Sequence, residues 1–331
     1  MKHVSILIPE GDCSLVNIEG AHQIFNEVNS ILARIGKLPV FKVQLVGFQK
    51  ETSMRKGLFR IHPDVLINDV TKTDLIIIPA IHGEKNKMIE DNKAFLPWLV
   101  EQHNGGAAIA SFCIGVFLLA ATGLLKGRKC ATHWVEADNF RNMFPDVELL
   151  SDKIITDDAG IYTSGGAYSW LNLALYIIEK FAGREIAIIC SKIFEVQIER
   201  DSQSAFMIFM PQKQHKDELI KKAQDYIEQN YQERIAIDDL ATMLNLSRRN
   251  LERRFRKVTY NSIVEYVQKV RIEAAKMTLE KEKENVSEVM YKAGYTDSKA
   301  FRTTFKKYTG LSPMEYRKKF IRLKSRTLMQ A

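Results

Sequence analysis

Two hydrophobic rhythms divide the chain. Up to about residue 190, short and nearly continuous apolar runs of strand length alternate with stretches whose apolar residues recur at helical spacing. Val4–Pro9 is the first such run, and a helix is expected through Glu19–Leu32. Phe41–Phe48, Leu75–Pro79, Ala107–Phe112 and Ile161–Thr163 read as further strands. Between and after them, Phe95–His103, Ile114–Thr122, Tyr168–Phe181 and Arg184–Glu199 read as helices. Strand and helix in alternation predict an α/β domain around a parallel sheet, because parallel neighbours need a crossover that a helix supplies. In such sheets ligands sit where strand ends meet small or glycine-rich turns, as at Cys113 and at Gly165-Gly166.

The pattern lapses over residues 200–216 (RDSQSAFMIFMPQKQHK), which contain Pro211 and are expected to form a linker. Beyond Asp217 the β-type runs vanish and helix follows helix. The expected division is therefore 1–199 α/β, 200–216 linker, 217–320 all-α, and 321–331 a basic tail. Within the all-α part, Ile237–Val258 reads IDDLATMLNLSRRNLERRFRKV. Leu240, Met243 and Leu244 would face inward, Asn245-Leu246 would turn, and Ser247 would cap a second helix carrying Leu251 and Phe255 on one side. About fifty residues later, Val286–Lys307 (VSEVMYKAGYTDSKAFRTTFKK) repeats the plan. There Val286, Val289 and Met290 face inward, Asp297 or Ser298 is the cap, and Phe301 and Phe305 are buried. Ile263–Glu280 forms one long spacer helix between the two. Short helix, turn and basic helix is the geometry that puts a recognition helix in the major groove. Two helix-turn-helix units are thus expected, partnered by double-stranded DNA.

Charge sharpens this expectation. Of the net +8, the residues from His215 onward hold 26 basic against 16 acidic side chains, and the rest hold 22 against 24. The whole positive excess lies in the last third, where Lys and Arg gain affinity by releasing counterions from phosphates. Chemistry is sparser. Cys13, Cys113, Cys130 and Cys190 lie far apart without a CxxC, so no metal site, disulfide framework or cofactor is expected. The opening strand run does not read as a signal peptide, and no apolar run reaches the ~20 residues of a membrane span. A cytoplasmic location without membrane contact is the expectation. Cys113, at a sharp strand-to-helix turn, reads either as a small buried apolar residue or as a thiol beside helix N–H groups that would lower its pKa.

The run Asp238–Arg317 resembles the AraC-type DNA-binding domain, through LATMLNLSRRNLERRFRK, VRIEAAKMTLE, AGYTDSKAFRTTFKKYTG and LSPMEYR. The resemblance implies base-reading roles for Arg249, Asn250, Glu252 and Arg253 in the first unit, and for Ser298, Lys299, Arg302 and Thr303 in the second. It leaves Arg248, Arg254, Lys306 and Lys307 to hold phosphates. Where that family has a Gly after the first recognition helix, this chain has Thr259-Tyr260-Asn261-Ser262, so the turn there is expected to be built differently.

Residues 4–195 resemble the PfpI-type, class I glutamine-amidotransferase-like fold, a flavodoxin-like sandwich that precedes AraC-type domains in GlxA-type regulators. The matching stretches are Gly20 to Phe25, SFCIGVFLLAATGLLKGRKCATHW, FPDVELL and TSGGAYSWLNLALYIIE. The resemblance implies a small-molecule effector pocket around Asn17, His82, Gly83, Cys113, Ile114 and His133. Asn17 stands where the enzymes of the fold carry their acid, and an amide neither takes nor gives a proton near neutral pH. Glu19 lies about 200° further round the helix. Ile114 follows the cysteine where protease-like members have His. The expectation is a transcriptional regulator and not an enzyme, working as a homodimer with RNA polymerase as a further partner. The alternative is a cysteine-dependent hydratase or amidase with an attached DNA-binding domain.

Overall fold

The computed structural model describes residues 1–198, 201–281 and 284–321. Glu199, and the expected basic tail beyond Ile321, lie outside the described residues. The chain divides into two compact units, Met1–Gln203 and Ser204–Ala331.

The first unit is the expected α/β sandwich. Its seven-stranded sheet runs, in spatial order, Ile155–Asp158, Ile161–Ser164, Ala108–Ser111, Leu75–Ile78, Lys2–Leu7, Phe41–Gly47, Val65–Leu66. All neighbours are parallel except the first pair, where the edge strand Ile155–Asp158 is antiparallel. Alternation along the strands feeds two cores. Leu75 and Ile77 face one layer, with Phe25 of α1 (Leu15–Arg34), Ile178 of α6 (Ser169–Ala182) and Ile186 of α7 (Arg184–Ile193). Ile76 and Ile78 face the other, with Met88 of α2 (Lys85–Asp91), Leu99 of α3 (Phe95–Asn104), Phe117 of α4 (Val116–Ala121) and Phe140 of α5 (Ala137–Met143). Strands buried on both faces read as unbroken apolar runs, which is why LIII was legible.

The last helix of this unit is shorter than expected. α7 stops at Ile193, because Glu195 takes a left-handed backbone (φ 53°) and the Val196 N–H turns back to the Ser191 carbonyl. Phe194, Val196 and Ile198 instead alternate against the first core, a period of two inside what read as a helix.

Among the described residues, seven α-helices build the second unit: α8 (Glu218–Asn230), α9 (Ile237–Met243), α10 (Arg248–Thr259), α11 (Ile263–Lys281), α12 (Val286–Lys292), α13 (Ser298–Thr309) and α14 (Pro313–Phe320). They enclose two cores. Ile220, Ile227, Leu240, Leu251 and Phe255 pack on Ile263 and Tyr266 at the start of α11. Val289, Met290, Phe301, Phe305 and Tyr316 pack on Ile272, Ala275 and Leu279 at its end. The expected spacer helix therefore closes one bundle and opens the next. One inward position is corrected: Met243 is 47% exposed, and Ala241 takes its place beside Leu240. With seven residues in α9, a half-turn decides which side chain meets the core. Residues 207–209 of the stretch expected as a linker lie on the second unit, where Lys276 donates to the Met207 carbonyl (2.6 Å) and Phe209 meets Tyr266 edge-on.

Candidate nucleic-acid interface and cysteine turn

The two helices expected to enter the groove are copies displaced by fifty residues. α10 and α13 each have 12 residues and bury Leu251 with Phe255 and Phe301 with Phe305. Ser247 caps α10 by accepting from the Asn250 N–H, and Asp297, not Ser298, caps α13 by accepting from the Ala300 N–H. Each cap contributes about 1 kcal/mol. Both helices end alike. The Thr259 and Thr309 hydroxyls donate to the carbonyls of Phe255 and Phe305, and the next residue, Tyr260 or Gly310, is left-handed at φ 58° or 73°. The expectation of a different turn after α10 is thereby corrected: Tyr260 adopts the conformation that Gly310 adopts. Ser262 with Glu265, and Ser312 with Glu315, then make equivalent reciprocal bonds that start α11 and α14.

Outward-facing positions on both helices are mostly basic or polar. Arg248, Arg249, Glu252 and Arg253 are exposed on α10, as are Ser298, Lys299, Arg302, Thr303, Lys306 and Lys307 on α13. Asn250 is half-buried and accepts from the Arg253 guanidinium at 3.1 Å. Arg248 bridges Asp238 and Glu252, each at 3.2 Å. Arg254 is engaged elsewhere, forming a two-pronged bond to Asp217 at 2.9 and 2.6 Å. Asp217 also caps α8 by accepting from Ile220, so Arg254 would have to leave that cap to reach a phosphate.

In the first unit the strand Ala108–Ser111 runs into a turn at Cys113, whose backbone is left-handed (φ 54°). A close approach forces Gly115 on this turn, since a Cβ there would lie 2.4 Å from the Pro79 carbonyl oxygen. The Cys113 N–H donates to Ser164 Oγ, and Thr132 Oγ1 donates to the Cys113 carbonyl. Cys113 is 5% exposed, and burial pushes its thiol pKa up against the opposing pull of the Ala167 and Ile114 backbones and of Lys85. The thiol therefore stays protonated near neutral pH. Ile114 is buried beside it.

The other expected pocket residues divide. His133 holds the Val135 N–H on its Nδ1, and burial lowers its pKa, so its imidazole is neutral at pH 7. His133 follows Thr132, whose hydroxyl bonds the Cys113 carbonyl, so its backbone lies beside that turn. Lys85 is nearly buried, donates to the Gly83 carbonyl, pairs with Glu136 at 3.3 Å and lies over the Phe117 ring. Asn17 is buried but occupied, its Oδ1 accepting from the Ala80 N–H at 3.0 Å. Glu19 is exposed. Gln203 fastens the surrounding loops: its amide donates to the Thr132 and Ser151 carbonyls and accepts from the Gly166 N–H.

The DJ-1/PfpI family model matches residues 26–180, and a helix-turn-helix domain model matches 240–319. The HTH-type transcriptional regulator GbdR of Pseudomonas aeruginosa is 28% identical over 261 residues, covering 78% of this chain and 70% of the relative. The chain joins a DJ-1/PfpI domain to an AraC-type helix-turn-helix domain. An AraC family transcriptional regulator from Pseudomonas putida shares the fold of the DJ-1/PfpI domain, with a TM-score of 0.50 and 15% identity over 59% of this chain and all of that one. Isonitrile hydratase of Pseudomonas putida is also similar, at 23% identity over 50% of this chain and 68% of the relative.

Sequence reading left several contributors unmarked. In the AraC-type domain the fifty-residue offset sets Arg256 and Lys257 opposite Lys306 and Lys307, and all four are exposed. That repeat was visible in the sequence and would have added both. In the DJ-1/PfpI domain, Lys85, Glu136, Ser164 and Gln203 carried no such signal, because a lysine in GEKNKM looks like any solvated charge. A separate groove of about 640 Å³ is lined by Lys129, Lys153, Asp157, Tyr176 and Arg184 but by none of the expected pocket residues. Among the described residues, no cluster of His, Cys, Asp or Glu could hold a metal, and no helix is long and apolar enough to cross a membrane.

Proposed function

We propose that the chain is a sequence-specific transcriptional regulator that binds double-stranded DNA through α10 and α13 and answers to a small effector at the Cys113 turn. The paired 12-residue helices, each burying two large side chains and exposing basic residues, carry the first half of this reading. Arg249, Asn250, Glu252 and Arg253 with Ser298, Lys299, Arg302 and Thr303 would read bases, and Arg248, Arg256, Lys257, Lys306 and Lys307 would hold phosphates. His82, Gly83, Cys113, Ile114 and His133, joined by Lys85 and Glu136, would surround the effector. A homodimer in the cytoplasm, meeting RNA polymerase at a promoter, completes the proposal. The test is fluorescence anisotropy with promoter fragments. Preference for one fragment over random duplex, with affinity falling steeply in salt, supports the reading, and equal affinity for every duplex overturns it.

The protonated Cys113 thiol, the neutral His133 and the amide at Asn17 support binding without catalysis. The relative named isonitrile hydratase favours the opposite reading, a cysteine-dependent hydratase. Turnover of an isocyanide or an amide that disappears in Cys113→Ser would establish that second reading.

A further inference from the structure

We infer that Arg271 locks the two helix-turn-helix units at one separation, so that the domain reads its two DNA segments only at a fixed spacing. The spacing claim rests on the DNA-binding reading above, and the locking claim does not.

Arg271 sits at the waist of α11, between Tyr266, which belongs to the first core, and Ile272, which belongs to the second. The end of α8 leaves carbonyls without helical partners. Arg271 Nε donates to the Tyr231 carbonyl at 2.7 Å and its Nη2 to the Glu233 carbonyl at 2.8 Å. A cation suits the negative end of a helix. The same guanidinium lies 5.4 Å from the ring centroid of Tyr295, in the turn between α12 and α13. Beside it, Gly294 is left-handed (φ 77°), and a Cβ on it would lie 2.7 Å from the Gln232 carbonyl oxygen and 2.8 Å from that of Tyr231. The turn of the second unit therefore lies backbone to backbone on the α8–α9 loop of the first, with Arg271 bonded to one side and stacked on the other. The matching turn residue of the first unit, Asn245, is also left-handed but exposed. This contact thus belongs to the junction and not to the repeat. Besides it, α11 and the segment from Phe206 to Phe209, whose ends pack on Phe320 and Tyr266, join the cores, and Arg271 adds the tie that runs directly between the two loops.

Two measurements on the full chain test this. Spin labels at Thr242→Cys and Tyr291→Cys, both exposed, report the distance between α9 and α12, since the four native cysteines are buried. The distribution should be narrow in the parent and broader in Arg271→Ala, and an unchanged width overturns the lock. For DNA, the probe is the duplex that the parent selects from a random library, remade with one base pair added or removed between its two contacted segments. Each such change shifts one segment by about 3.4 Å and turns it by about 35°. The parent should lose about tenfold or more in affinity per change, and Arg271→Ala less than about threefold. Equal spacing penalties in both overturn the spacing claim. If the parent selects no duplex, the DNA reading fails and the label distances still decide the lock. Should Arg271→Ala fail to fold, Arg271→Lys keeps the charge and stem but cannot span both carbonyls, and an intermediate effect is expected in both readouts.

Discussion

Set the first helix-turn-helix unit beside the second and the buried positions coincide: Leu251 with Phe301, Phe255 with Phe305, Thr259 with Thr309, Tyr266 with Tyr316. The tyrosine hydroxyls even find equivalent partners, Glu228 on α8 and Glu280 on α11. The surfaces part company. Arg249 meets Lys299 and keeps the charge, Arg253 meets Thr303 and loses it, and Glu252 meets Arg302 and reverses it. Packing tolerates little variation at a buried site, whereas an exposed side chain is constrained by what it must touch outside the protein. The two units share a scaffold and present different chemistry, so they are expected to contact different base sequences.

The largest predicted effects fall on the shared scaffold. Phe255→Ala and Phe305→Ala should each cost about 3–5 kcal/mol in urea unfolding. A cost near zero for either would break the equivalence of the two cores. Next come the diverging surfaces. Arg302→Ala should weaken binding to a selected duplex by about 1–3 kcal/mol, while Glu252→Ala, which removes an exposed negative charge from the helix proposed to meet DNA, should strengthen binding to random duplex. Anisotropy at two salt concentrations measures both, and matching signs would sink the contrast.

Smaller effects test the turn. Gly310→Ala should cost about 1 kcal/mol, because a Cβ disfavours the left-handed backbone. Tyr260→Gly removes that penalty but gains freedom in the unfolded chain, so it should change stability by less than about 1 kcal/mol. Thermal melts of both variants compare the turns, and a large loss in Tyr260→Gly would mean that the tyrosine side chain itself is needed. The smallest effect concerns pH. The Arg254 guanidinium beside Asp217 holds that carboxyl below its usual range, a brace for which Thr304 supplies no counterpart in the second unit. A lowered carboxylate pKa stabilises the fold above the unfolded value near 3.8 and is lost as pH falls below it. Hydrogen exchange in α8 should therefore quicken below about pH 4 before exchange in α12 does, and Asp217→Asn should remove the difference.

Much of this was legible in the chain. Unbroken runs such as LIII and the spacing of Leu251, Phe255, Phe301 and Phe305 announce their elements, because burial on two faces or on one stripe leaves a periodic trace. Tyr260 was misjudged since residue type speaks only through preference, and surrounding packing can hold a non-glycine residue left-handed. Lys85 and Gln203 left no trace because Glu136 lies some fifty residues from Lys85, and Gln203 binds the distant backbones of Thr132, Ser151 and Gly166, contacts that no local pattern records. Arg254 was left to phosphate by the resemblance, and its bond to Asp217 spans α8, α9 and their loops, which periodicity does not relate.

The helix α11 has one more consequence. Because its first half lends side chains to one bundle and its second half to the other, neither bundle can unravel without stripping a wall from its neighbour. These helices should consequently melt as a single cooperative block, and a core-breaking substitution at either end of α11, at Ile263 or at Leu279, should weaken both helix-turn-helix units together.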